Sequence, residues 1–296
     1  MTRFYALLLA TAFPLVASAA PALTPAAPRL LYVSGEAGSF HVHAMKLDGT
    51  DKEKLTTGDG NHFFPAWSPD GKKIVYTLEI GGRQHIHVMD ASGRNDSALT
   101  TGDVIDRGPA FSPDGKKIAF TRGALTGFPD IWVMEADGTK PLNLTEDPAY
   151  DADPTWSPDG KKIAYVSNRA GGGFRLYVMD ADGKNRKELC ANDNRYGVGY
   201  PTWSPDGKKI AYADATPAAL EVFILDADGS NRKQLTEEGG MNSYATWSKD
   251  SKKIAFVHFN GPKSTIKVMD ADGKNVKTIL EDAKTTAEGG RIAWRP

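Results

Sequence analysis

Residues 155–165 read TWSPDGKKIAY, and nearly the same string recurs around Trp67, Phe111, Trp203 and Trp247. A sixth copy, cut short by the chain end, carries Trp294 in AWRP. The anchor aromatics stand 44, 45, 47, 44 and 47 residues apart. A period of that length marks a solenoid, an array or a propeller, and the contents of one period choose among them.

Thr155-Trp156 ends a first strand. Ser157-Pro158-Asp159-Gly160 is a tight turn: Pro presets φ at the second position, Asp suits the third, and Gly takes the left-handed conformation at the fourth. This predicts a type I turn with a glycine bulge closing a hairpin. Residues 162–166 form a second strand, and 175–180 a third after the loop 168–173. A short fourth, 186–189, follows the turn Ala181-Asp182-Gly183. No helical period appears in the unit. Four antiparallel strands at this repeat length predict one propeller blade. Side-chain pattern agrees. Ile163 and Tyr165 point to one face and Ala164 to the other, and the pattern returns as Ile118-Ala119-Phe120, Ile210-Ala211-Tyr212 and Ile254-Ala255-Phe256. A strand covered on both faces needs apolar residues on both, and small against large suits sheets stacked at a wedge angle.

The chain ends complement each other. Residues 29–33 align with a second strand, 41–45 with a third and 53–55 with a fourth, but no first strand precedes them. Residues 291–294 are a first strand with nothing after it. Second strands lie near Leu31, Ile74, Ile118, Ile163, Ile210 and Ile254. The expectation is all-β: a six-bladed β-propeller of four-stranded antiparallel blades over residues 29–296, closed by strand exchange between the termini. Closure removes the exposed sheet edges of an open array.

With 296 residues, 40% hydrophobic and 25% charged, the chain holds enough apolar material for a sizeable core. The net charge of −1 gives no basic field for nucleic acid. The single Cys190 excludes an internal disulfide framework and a multi-cysteine zinc site. Residues 1–19 place Arg3 ahead of the apolar stretch 4–16 and end in Ala17-Ser18-Ala19. That is the pattern of a secretory signal peptide cleaved after Ala19, and the stretch is short of the ~20 residues a membrane span needs. A Pro/Ala-rich leader, 20–28, follows, and no other segment is apolar enough to cross a bilayer. The expected product is a periplasmic or secreted monomer.

The string W-S-P-D-G-K-K-I-A-Y, followed by V-M-D-A-D-G and L-T, resembles the TolB-type, WD-like propeller repeat across residues 29–296. The resemblance implies the propeller and a cell-envelope address. In TolB an N-terminal α/β domain precedes a six-bladed propeller and carries the segment that engages the inner-membrane Tol proteins. Here only residues 20–28 separate the signal from the first blade. The resemblance therefore implies the propeller domain alone and leaves a Tol–Pal role open. Similar repeats also form the propellers of prolyl-oligopeptidase-type peptidases and oligogalacturonate lyases.

Strand alternation puts the SPDG and DADG turns on one face, and the strand 2–3 and inter-blade loops on the other. The first set hardly varies. The second does: 79–84, 122–129, 168–174, 214–220 and 259–264. Recognition needs variety, and binding residues concentrate on loops over a rigid scaffold. The functional surface is therefore expected on the varied face, at the mouth of a central channel. Five residues before each anchor stand His62, Asp106, Asp151, Val198, Asn242 and Gly289, with Arg107, Asp153, Arg195, Glu288 and Arg291 nearby. The candidate binding residues are His62, Asp106, Arg107, Asp151, Asp153, Arg195, Asn242, Glu288 and Arg291. If the oxygens of Asp106, Asp151 and Asp153 converge with His62, they suit a hard cation such as calcium; solvated loop residues are the competing reading.

His43 and His87 occupy the register of Trp132, Tyr177 and Phe223, so they read as inter-blade aromatics, while His41 and His85 lie one pleat nearer the varied face. Asp180-Ala-Asp182-Gly183 resembles the start of a calcium loop but recurs at a hairpin position, where turn chemistry explains it. Cys190 stands where other blades have Thr100, Thr145 and Thr236, and reads as a substituted Thr. No G-x-S-x-G, H-E-x-x-H or P-loop is present, and no catalytic residue is assigned. The leading expectation is a non-enzymatic binding or scaffold propeller engaging an envelope protein or peptide. The alternatives are a saccharide-acting lyase or hydrolase with a polar or metal site at the mouth, and a ligand sensor without turnover.

Overall fold

The computed structural model describes residues 29–36, 38–123, 127–190, 198–287 and 289–296. The signal peptide, the leader, Arg195 and Glu288 lie outside the described residues.

Every regular element among the described residues is a β-strand. The unit read from residues 155–165 comprises Asp151–Trp156, Lys162–Ser167, Arg175–Asp180 and Lys187–Cys190, hydrogen-bonded antiparallel in that order. The same four-strand order starts at Asn61–Trp67, Ile105–Phe111, Val198–Trp203 and Met241–Trp247. A single parallel pair, Gln84↔Ile105 or Leu220↔Met241, joins neighbouring units at two places. At the ends, Arg29–Glu36, Ser39–Lys46 and Glu53–Lys54 lie side by side, and Ala293–Trp294 pairs against the first of them through Leu30↔Trp294 and Leu31↔Ala293.

The turns are built by their own side chains. In the SPDG turn, Ser157 Oγ donates to Asp159 Oδ1 at 2.7 Å, and Ser157 Oγ accepts from the Lys162 amide at 2.9 Å. Asp159 Oδ1 also accepts from the Lys161 amide, so one carboxylate and one hydroxyl satisfy the whole corner. In the DADG turn, Gly183 is left-handed, and Asn185 Nδ2 donates to Asp180 Oδ2 at 2.6 Å. A Cβ at Gly183 would stand 2.7 Å from the Leu144 carbonyl of the preceding unit. Glycine is thus required for φ and for close packing between units.

The core is a set of interfaces between units. Ala119, Ile131, Val133 and Leu144 of one unit pack on Trp156, Ile163, Tyr165 and Met179 of the next. Leu30, Tyr32 and Val33 near the beginning pack with Tyr244, Val257, Ile266 and Leu280 near the end. The second-strand residues Ala119, Ala164, Ala211 and Ala255 are fully buried, opposite the large side chains of their neighbours. Four of the outermost strands are followed by a threonine hook. The hydroxyls of Thr56, Thr100, Thr145 and Thr236 accept from third-strand amides at 2.9–3.0 Å. Cys190 takes that place in its own unit, buried beside the Tyr212 hydroxyl.

Candidate functional site

Five innermost strands carry one extra residue three positions before their anchor aromatic. Pairing passes from Phe63↔Thr77 to Ala66↔Val75, so Phe64 and Pro65 oppose Tyr76 alone. The same bulge recurs at Gly108-Pro109, Asp153-Pro154, Tyr200-Pro201 and Tyr244-Ala245. Its first residue is left-handed each time, with φ of 52, 64, 56, 55 and 56°. Proline suits the second position, where the ladder is interrupted. A positive φ is uncommon for a non-glycine residue and an outlier for a bulky one, and such residues cost on the order of 1–3 kcal/mol each. Phe64, Tyr200 and Tyr244 nevertheless adopt it.

The bulges bring together side chains from distant units. The rings of Tyr200 and Tyr244 are 4.3 Å apart. Arg291, from the segment that pairs with Arg29–Glu36, lies 5.7 Å over the Phe64 ring and places Nη2 3.6 Å from Asp153 Oδ1. The ion pair therefore joins the first unit to the fourth in chain order. Burial raises the Tyr200 hydroxyl above its ordinary pKa, with Asp153 adding to the rise. Tyr244 is raised further, again first by burial.

Above this cluster opens a cavity of about 590 Å³ on the side of the varied loops. Its walls include Phe63, Phe64, Tyr150, Phe174 and Tyr200, with Glu79, Gln84, Arg107 and Asp153 as the polar groups. The volume falls within the ~300–1,000 Å³ range of ligand pockets. Arg107 donates to the Tyr150 hydroxyl and sits 5.9 Å from the centre of that ring. Glu79 accepts from Gln84 at 2.8 Å.

The candidate residues divide by register. Arg107 and Asp153 line the cavity, and Arg291 stands against Asp153. The candidate residues five before the anchor, His62, Asp106, Asp151 and Asn242, point into the sheets instead. Asp106 is fully buried and takes both oxygens to Arg122, at 2.7 and 2.8 Å. Asp151, also fully buried, accepts from Arg169 at 2.7 Å; burial raises its carboxyl, against the pull of Ser167 and Arg169. Asn242 donates to Glu221 at 2.8 Å and faces His258 Nδ1 at 2.9 Å. His62 stacks on His41 at 4.8 Å, with its Nδ1 3.1 Å from the Phe40 carbonyl oxygen. Among the described residues, no group of three or more His, Cys, Asp or Glu is placed to hold a metal ion.

The other histidines follow their registers. His43 stacks on Tyr32 at 5.2 Å, and His87 lies 5.7 Å from Tyr76 while meeting Asp96 at 3.1 Å. Sequence reasoning passed over Phe64, Tyr150, Phe174 and Tyr200. The signal for two of them was present: the column three before the anchor reads Phe64, Gly108, Asp153, Tyr200, Tyr244, Arg291, a bulky and varied set followed by proline in four cases.

The family model of the TolB beta propeller domain matches residues 12–124 and 104–198. The chain is similar to the crystal structure of TolB from Acinetobacter baumannii, with 26% identity and a TM-score of 0.76 over 90% of this chain and 66% of that one. It thus spans just under two thirds of that protein's length. The structure of a putative TolB from Agrobacterium tumefaciens shares the fold at 21% identity and a TM-score of 0.71, over 91% of this chain and 99% of that one. A puromycin-hydrolyzing peptidase of Mycobacterium tuberculosis shares the fold at 14% identity and a TM-score of 0.61, over 86% of this chain and 45% of that one. No curated protein matches the chain.

Proposed function

The chain belongs to the TolB beta propeller domain family, and on that premise we propose that it is a non-enzymatic binding propeller of the cell envelope that engages a protein partner through its varied-loop face. Six blades, closed by exchange of strands between the termini, hold that face rigid. Closure is supported by the Leu30↔Trp294 pair and by the core shared between the first and last units. It is also supported by the glycine contacts. Gly93, Gly138, Gly183, Gly229 and Gly273 each press on the preceding unit, and Gly49 presses in the same way on Ile279. Export to the periplasm rests on the sequence of residues 1–19.

The observation that carries the reading is the aromatic-walled cavity on the varied side, where the repeated bulges present side chains that differ from unit to unit, among them Phe64, Asp153 and Tyr200. Two of the most exposed large apolar residues, Ile80 and Phe128, lie on varied loops of adjacent units, where an apolar contact surface would use them. The test is capture from envelope extract by the purified chain. The Ile80→Glu/Phe128→Glu variant should lose the partner, and Lys161→Glu on the opposite face should keep it. Equal capture by both variants would refute the assignment of faces. Metal analysis of the purified chain addresses the saccharide-acting alternative: a stoichiometric divalent ion that disappears when the cavity carboxylate is removed in Asp153→Asn would favour it.

A further inference from the structure

We propose that Arg107 is a carboxylate anchor, and that the cavity takes a single carboxylate carried beside an apolar or aromatic group. The inference rests on the reading of the varied face as the working surface and names the chemistry of its pocket.

Arg107 differs from its neighbours. Arg122 meets Asp106, Arg169 meets Asp151, and Arg291 meets Asp153. Arg107 meets the Tyr150 phenol and its ring. Among the described residues it has no carboxylate in ion-pair contact. A guanidinium offers five N–H donors in a planar fork that matches a carboxylate. One phenol leaves most of that fork for a ligand, and the Tyr150 contact holds the side chain against the wall.

The remaining walls define the rest of the ligand. Phe63, Phe64, Phe174 and Tyr200 present apolar surface, and Val198 and Ala152 fill between them. Gly108 leaves open the place that Asp153, Tyr200 and Phe64 fill in their own strands, next to Arg107. Asp153 is already engaged by Arg291, so it does not compete for Arg107. Glu79 adds a negative charge on the same wall, tied to Gln84. One free cation with one carboxylate nearby favours a monoanion over a dianion or a phosphate.

This chemistry has two sources: a free small acid, or the C-terminal residue of a peptide. The probes are N-acetyl-phenylalanine and a five-residue peptide ending in phenylalanine, each as the free acid and as the C-terminal amide. Binding is measured by calorimetry on the purified chain. The acids should bind, with the amides weaker by roughly tenfold or more, the loss expected for one charge-assisted fork. Arg107→Gln should remove the preference for acid over amide, and Arg107→Lys should restore part of it. Gly108→Tyr should block both acids. Binding of the peptide acid alone assigns the site to a chain terminus; equal binding of both acids assigns it to the terminal residue as a unit. Equal binding of acid and amide, or none of either, overturns the proposal. It does so on the unsubstituted chain, whatever the variants do. Should acid and amide bind alike while partner capture still depends on Ile80 and Phe128, the working face stands and the role of Arg107 falls.

Discussion

The two faces of this molecule are built from the same strands by opposite means. On the constant face, one corner is repeated. Ser68, Ser112, Ser157, Ser204 and Ser248 each donate to an aspartate two residues on, at 2.6–2.7 Å. The same five hydroxyls each accept from an amide five residues on, at 2.9 Å. On the varied face, beyond the threonine hooks, the partners of the innermost-strand side chains change from unit to unit. Asp106 takes Arg122, Asp151 takes Arg169, Asn242 takes Glu221, and His62 takes the Phe40 carbonyl. A repeated interaction serves architecture, because every unit needs it. A position where units differ is free to serve recognition, and the cavity lies among such positions.

The largest effect should come from the segment both faces share. Deleting residues 290–296 removes the Ala293–Trp294 strand, buried Ile292 and the Arg291–Asp153 pair. The expected product is unfolded or aggregated, seen by circular dichroism and gel filtration. A truncated chain that melts like the full one would break the closure proposal and with it the distinction between faces. Next, Arg122→Ala leaves Asp106 fully buried without its bidentate partner. The loss should be about 3–5 kcal/mol in urea unfolding, and the double variant Asp106→Leu/Arg122→Met should recover much of it.

Acid should then separate the regions. Burial lowers His41 to about 4, with Lys54, His62 and His43 adding to it, and burial also lowers His62, His43 and His258. A histidine held neutral in the fold binds its proton later than in the unfolded chain. The unfolded state therefore gains protons first, and stability falls as pH drops from 6.5 towards about 4, with no such dependence above 6.5. His41→Gln should flatten that slope. The turn aspartates Asp70, Asp114, Asp159 and Asp250 are held below 3.8 by their serine hydroxyls, so the constant face should respond only in stronger acid. The smallest effect should be Ser157→Ala, about 1 kcal/mol, because one corner of several identical ones loses a hydroxyl. A loss as large as that from Arg122→Ala would erase the contrast between the faces.

Much of the architecture was legible. The period, the turns and the complementary ends are local or repetitive signals, and each copy corroborates the others. The register of the histidines was legible for the same reason: His43 and His87 stand in an aromatic column, and both meet a tyrosine ring. The site was legible only in part. Arg107, Asp153 and Arg291 come to the pocket or its floor, while Asp106, Asp151, Asn242 and His62 turn into the sheets.

By itself the amino-acid sequence determined the four-stranded unit, because turn chemistry and two-sided apolar strands are decided within a few residues. Only the tertiary structure decided which polar side chains reach the pocket. The bulge inserts one left-handed residue into five innermost strands, so simple alternation fails there between the fifth and third positions before the anchor. Which group then neutralises which charge depends on neighbours more than a hundred residues away, as Arg291 and Asp153 show.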